Sequence, residues 1–275
     1  LVSMIPDEAG TEGVWTPLET VAGHTVIWRT RWHPFADRPR VVATAALFDQ
    51  TRLVARHFSG SRLPERGRWK YQTRVPEELE PWLVATFNGG FMLNHITGGY
   101  MTEGVEVQPL AEGHATLGVR KADYRLVLGV YGRDMVNDGT WLTLRQNIWP
   151  FVENGEPAWQ KHRAYWGDGP KGIKDTLRSA LCNMPDGRMM YILAGDVDVE
   201  PFGQIVASTG CTLGIELDIN GTWPHFATYS GFGTTERTGL PLERRVLDKQ
   251  RMLRSSWHDF FALFDPYYIP AGTLD

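Results

Sequence analysis

Asp218 stands at the carboxyl end of a buried apolar run, Leu213–Ile219, that reads as a strand. Side chains at that end of a strand emerge into a cleft. Glu216 lies two residues earlier and shares the same strand face. Two carboxyl groups on one face can separate their pKa values and act as acid and base. Glu103 precedes Gly104 in a glycine-rich loop that would present it to a substrate, and Asp134 directly follows Arg133. Neighbours on a strand point to opposite faces, so one of that pair faces a site while the other pairs elsewhere. Arg178 opens another expected strand, and a guanidinium offers paired hydrogen bonds to phosphate oxygens. Arg133 and Arg145 are the reserve cations. The catalytic candidates are therefore Asp218, Glu103, Arg178 and Asp134.

The binding candidates are Asn88, Gly89, Gly90, Arg133, Asn147, Glu216 and Asn220. Thr86-Phe87-Asn88-Gly89-Gly90-Phe91 runs a strand into a double glycine. Paired glycines permit positive φ and close approach of a ligand. The Asn88 amide can both donate to and accept from a hydroxyl or phosphate oxygen. Each candidate has a plainer reading as a turn, cap or ion-pair partner. His95 and His114 could exchange protons near neutral pH. No histidine pair has metal spacing, and neither a serine-nucleophile elbow nor a phosphate-cradling glycine loop occurs, so no metal and no cofactor are expected.

Strands dominate the elements that must position these groups. Thr25–Arg31 alternates, whereas Val41–Phe48 and Leu83–Phe87 are apolar runs. Ala115–Arg120 and Tyr124–Val130 flank a turn near Asp123, and Arg178–Met184 and Arg188–Ala194 flank Pro185-Asp186-Gly187, a hairpin signal. Pro76–Trp82 could hold a turn or two of helix. Glu200–Thr209 spaces Phe202, Ile205 and Val206 on one helix face, with Gly210 as its stop. The order 188–194, 200–209, 213–219 has the shape of a strand–helix–strand crossover, which joins parallel strands. The expected class is α+β: a strand-rich mixed sheet with that crossover embedded, in one domain over 13–275 behind a loose lead over 1–12.

Composition narrows the classes. The chain has 275 residues, 42% hydrophobic and 22% charged, as globular proteins do. A net charge of −4 is unlike a nucleic-acid binder, and the basic stretches Arg62–Arg74 and Arg237–Arg254 are interleaved with acids, as solvated surfaces are. No apolar run is long enough to span a membrane. Leu1 in place of a starting methionine is expected of a processed or trimmed chain, although no export signal is visible. Cys182 and Cys211 are equally consistent with two buried thiols and with one disulfide. Among the 11 tryptophans, Trp149, Trp159, Trp166 and Trp223 lie near the motifs, where core packing competes with sugar binding.

Six stretches in order carry a resemblance: Thr86–Phe91; Gly98–Gly104 with Gly113–Gly118; Tyr131–Asp134; Leu144–Asn147 with Val152–Gly155; Leu177–Leu181 with Asp186–Arg188; and Gly214–Asn220. Together they resemble the phosphodiester glycosidase family, which includes a lysosomal N-acetylglucosaminidase and exported bacterial proteins. Trp223, Phe226 and Trp257-His258-Asp259-Phe260-Phe261-Ala262 are similar to its actinobacterial branch. The similarity spans roughly residues 80–265. One departure stands out: the lysosomal member continues from its aspartate into three glycines and a serine, where this chain has Ile219-Asn220-Gly221.

The resemblance implies a hydrolase acting at an anomeric carbon bonded to phosphate, in envelope polymers or glycans, outside the cytoplasm. Such a reaction passes through an oxocarbenium-like state and usually uses two carboxyl groups. A phosphodiester leaving group is weakly basic, so cationic stabilisation matters more than protonation. Asp218 and Glu103 would then carry acid, base or nucleophile roles, Arg178 would hold the phosphate and Asn88 would orient the sugar. Ordinary glycosidic bonds, or carbohydrate binding without turnover, are the alternatives on the same fold. A carbohydrate or sugar-phosphate partner is expected, and nucleic acid is not.

Overall fold

The computed structural model describes residues 1–64, 68–166, 175–243, 245 and 248–274. Arg66 and Arg244 of the two basic stretches fall outside these. The strands, in chain order, are β1 Thr16–Val21, β2 His24–Trp32, β3 Ala43–Phe48, β4 Val54–Phe58, β5 Leu83–Asn88, β6 Tyr100–Thr102, β7 Val105–Gln108, β8 Ala115–Arg120 and β9 Leu126–Val130. They continue with β10 Trp141–Gln146, β11 Val152–Glu153, β12 Glu156–Pro157, β13 Thr176–Asn183 and β14 Met189–Val197. Helix α1, Val199–Ser208, precedes β15 Leu213–Glu216, β16 Phe226–Ser230, β17 Thr238–Pro241, helix α2 Arg251–Arg254 and β18 Phe260–Phe264.

Three sheets result, ordered β1-β2-β3-β14-β13-β15-β11-β12, β7-β6-β10-β8-β9 and β17-β16-β5-β18-β4. Alternation along β14 shows why they stack. Met189, Tyr191 and Leu193 enter a core shared with β5, β8, β9 and β18, while Met190, Ile192 and Ala194 face α1. A strand covered on both faces reads as a continuous apolar run instead of an alternating one. The third sheet likewise turns Phe87, Phe261 and Leu263 inward and Phe58, Phe260 and Phe264 towards a second cluster.

The mixed sheet expected from the sequence is corrected: the described strand ladders are all antiparallel. The unit β14–α1–β15 is present in sequence order, but β13 inserts between its two strands and pairs antiparallel with both. The β13–β14 hairpin places β13 beside β14 through a tight turn, with Gly187 at φ 85°. Asp198 caps α1 by accepting from Val199 N at 2.7 Å, and Gly210 follows its end at φ 85°. The segment 1–12 is tied down: Met4 N donates to His33 O at 2.7 Å, and Glu12 meets His33 Nδ1 at 2.7 Å. Among the described residues, no helix is long and apolar enough to cross a membrane.

Cys182 on β13 and Cys211 beyond α1 form a disulfide across a sequence separation of 29 residues. Closing a loop of that length removes about 3–4 kcal/mol of chain entropy from the unfolded state. Cys182→Ala with Cys211→Ala is expected to lower unfolding stability by that order. Urea denaturation measures it, and an unchanged midpoint would show that the bridge adds nothing.

Candidate active site

Strand ends from all three sheets meet at one place. Gly89 N, just past β5, donates to Asp259 O at 2.8 Å, and Asp218 N, just past β15, donates to Gly89 O at 3.0 Å. Gly89 is required here by packing: a Cβ on it would lie 2.0 Å from the Asp259 carboxylate. At Gly90 the nearest groups to such a Cβ are Asn147, at 3.3 Å, and Arg145. Neither glycine has positive φ. The close approach anticipated for a ligand is made by the protein's own polar groups.

Asp218 Oδ2 accepts from His258 Nδ1 at 2.5 Å, and its Oδ1 accepts from Ile219 N at 2.9 Å. Burial raises the Asp218 pKa, with His258 pulling it back and the Asp259 charge adding to the rise. The His258 ring stacks on Trp223, centroids 3.8 Å apart. Asn220, at φ 114°, holds that indole in place by accepting from Thr222 N and Trp223 N. With its Nδ1–H committed to Asp218, a neutral His258 keeps a lone pair on Nε2. The ring is 15% exposed and among the described residues its Nε2 has no hydrogen-bond partner. An oriented imidazole with an open nitrogen is a proton acceptor poised for a substrate or water.

Beneath the glycine turn lies a sealed charge network. Arg145 Nε meets Asp259 Oδ2 at 2.8 Å, and its Nη2 reaches Phe91 O at 2.6 Å. His57 Nε2 also meets Asp259 Oδ2, at 3.2 Å, and Tyr100 lies 3.4 Å from His57 Nδ1. Burial alone would raise the Asp259 pKa, but the Arg145 charge and the His57 bond hold it well below the usual carboxylate range. Burial, with the Arg145 and Arg56 charges, lowers the His57 pKa in spite of Asp259. Arg145 is therefore the counter-charge and His57 a neutral partner.

Arg178, expected to hold a phosphate, is fully enclosed. Its guanidinium donates to Glu216 Oε1 at 2.9 Å, to Trp166 O and Val197 O at 3.2 Å, and approaches Asp198 at 3.5 Å. Glu216 is its fully buried partner, and among the described residues the second Glu216 oxygen, Oε2, has no hydrogen bond. Burial, aided by the Asp198 and Asp218 charges, pushes Glu216 up to about 7 in spite of Arg178. Folded Glu216 thus keeps its proton to about 7, whereas unfolded it loses it near 4.5. Stability from this group is fully present below 4.5 and is lost as pH rises through 7. The slope reaches about 1.4 kcal/mol per pH unit. Glu216→Gln is expected to remove that slope, read from denaturation midpoints at pH 5 and 7. Parallel pH profiles for variant and wild type would contradict it.

The other expected residues divide clearly. Asn88 is drawn into the same centre, but its amide is spent within it: Oδ1 accepts from Tyr191 OH at 2.7 Å and His225 N at 2.9 Å, and Nδ2 donates to Ser179 Oγ at 3.1 Å. Asn147 likewise bridges Phe91 N and Glu216 O. Glu103 sits in the β6–β7 turn at φ 48° and accepts from Tyr71 N at 2.9 Å; no described hydrogen bond or ion pair joins it to Asp218. Arg133 and Asp134 pair with each other, and Arg133 also with Glu153, beside a separate cleft of about 350 Å³ lined by Trp149 and His162. His114 bonds Thr97, and His95 is exposed. Among the described residues no group of three or more His, Cys, Asp or Glu has metal-binding geometry.

His258 and Asp259 are read from the sequence only as part of the stretch Trp257–Ala262, without a role, and His57 is not a candidate. The first two were visible as a polar pair heading the apolar run Phe260–Phe264. Their roles depend on β18 pairing with β5, which is a long-range contact that no local pattern announces.

No family model matches the sequence, and no curated protein matches it. Solved structures do. The fold is similar to the zebrafish N-acetylglucosamine-1-phosphodiester alpha-N-acetylglucosaminidase catalytic domain, auto-inhibited by pro-peptide, with TM-score 0.55 and 14% identity over 91% of this chain and 87% of that one. A hypothetical protein from Synechocystis aligns at TM-score 0.49 and 8% identity, over 91% and 64% of the two chains. A putative exported protein from Burkholderia pseudomallei aligns at 0.43 and 11%, over 82% and 74%.

Proposed function

We propose that this chain is a hydrolase of the glycosidase type that cleaves the anomeric bond of a sugar-1-phosphodiester. The observation that carries the reading is the Asp218–His258 pair beside the Asn88-Gly89-Gly90 segment. It stands on a fold like that of a catalytic domain acting on an N-acetylglucosamine-1-phosphodiester. His258 Nε2 takes a proton from the attacking water, and Asp218 holds the ring and balances the imidazolium charge. The bond from C1 to the phosphate oxygen breaks, and the phosphomonoester departs with the electron pair. Asn88, Asn147, Arg178 and Asp259 position these groups and do not touch the substrate.

The geometry favours phosphodiesters over ordinary glycosides for one reason. Glu216 and Asp259, the carboxylates electrostatically coupled to Asp218, are both enclosed against arginines. An ordinary glycoside needs a proton donor for its leaving oxygen; a phosphodiester does not. We infer an exported, extracytoplasmic setting from the disulfide, since such bonds persist in oxidising compartments. The test is a comparison of sugar-1-phosphodiesters with aryl glycosides of the same sugars. Release of sugar from the diesters alone supports the reading; turnover of aryl glycosides alone overturns it.

A further inference from the structure

A phosphodiester substrate carries a negative charge, and the cation that would meet it is not the one expected. Arg178 and Arg145 are enclosed and committed to carboxylates. Arg251 is 8% exposed, lies over the Trp223 ring at 4.9 Å and donates to Thr222 O. Arg133 is neutralised by Asp134 and Glu153.

Arg62 differs from all of these. Its side chain is exposed and lies 5.3 Å over the Trp257 ring. Among the described residues it has no carboxylate and no side-chain hydrogen bond, so its donors are free to meet an anion. Its backbone is anchored to the residue that precedes His258: Ser61 N and Arg62 N both donate to Trp257 O at 3.0 Å. Gly60 allows this contact, because a Cβ there would lie 2.6 Å from the carbonyl oxygens of Trp257 and His258. Trp257 is 54% exposed and lies 6.3 Å from Trp223, the ring on which His258 stacks. An aromatic pair carrying an exposed guanidinium thus stands next to the dyad. A ring face holds a guanidinium by cation–π attraction while leaving its edge N–H groups for paired bonds to phosphate oxygens.

We propose that Arg62, seated on Trp257, is the group that binds the substrate's phosphodiester anion and sets the preference for charged leaving groups. This rests on the hydrolase reading for its substrate, but the binding site can be tested without turnover. The probe is dimethyl phosphate at low ionic strength, followed through the indole N–H resonance of Trp257, assigned with Trp257→Phe. The wild type is expected to show a saturable shift that weakens with salt. Arg62→Ala is expected to abolish it, and Arg62→Lys to weaken it. In turnover of a sugar-1-phosphodiester, Arg62→Ala should raise KM at least tenfold with kcat changed about twofold or less. A wild type that binds the probe through Arg62 but turns over no diester would retain the site and sink the hydrolase reading. Turnover with Arg62→Ala equal to wild type, or a probe shift that survives in Arg62→Ala, would overturn the assignment of Arg62.

Discussion

Asp218→Asn is expected to leave the fold intact and to lower kcat on a sugar-1-phosphodiester by about 10²–10⁴-fold, the range of a lost acid–base group. The substitution keeps size and polarity but turns an acceptor into a donor at the 2.5 Å contact with His258. The imidazole must then carry its proton on Nε2, the atom that has to receive one. The pH profile gives an independent reading. Asp218 holds the productive tautomer only when ionised, and burial raises its pKa. Activity of the wild type should fall with decreasing pH through a limb above the ordinary aspartate value of about 4. That limb belongs to the coupled pair and not to one residue. It should vanish in Asp218→Asn, and its persistence there would assign the titration to another group.

The largest effect on stability is expected at Asp259. Asp259→Ala strands Arg145 and His57, 1% and 1% exposed, without their shared acceptor. Breaking a buried ion pair from one side costs about 3–5 kcal/mol, because a charge is left in a dry site. Removing both charges costs less. Asp259→Ala with Arg145→Met should therefore recover part of the loss seen in Asp259→Ala alone. Urea denaturation of the two variants decides it: a double variant less stable than the single would mean that the pair is not the source of the penalty.

Much of the strand framework was legible because it depends on local pattern. The apolar runs that became β3, β5 and β8 match to within two residues, as does α1, and the run that became β14 ends three residues short of the strand. Other strands were harder. β10, β16 and β18 carry polar or aromatic residues whose burial depends on partners far along the chain, and β6 is only 3 residues long. The sheet order was hidden for a related reason: nothing local says that β13 will lie between β14 and β15.

The candidate site divides the same way. Asp218 announced itself as an acid ending an apolar strand, and Asn88-Gly89-Gly90 as a break after one. Arg178 and Asn88 read from the sequence as ligand-binding groups, but residue type cannot distinguish a group offered to solvent from one consumed by neighbours. Arg178 is enclosed by Glu216, and Asn88 by Ser179, Tyr191 and His225. His258 was missed because its significance is its contact with Asp218, 40 residues away in sequence.

The central claim is attack by water at the anomeric carbon, with His258 as the base. Hydrolysis of a sugar-1-phosphodiester in ¹⁸O-labelled water, analysed at once by mass spectrometry, tests it most directly. The account predicts the label in the released sugar, an unlabelled phosphomonoester, and neither product from Asp218→Asn beyond a trace. Label in the phosphate would place the cut at the phosphorus–oxygen bond and contradict the account.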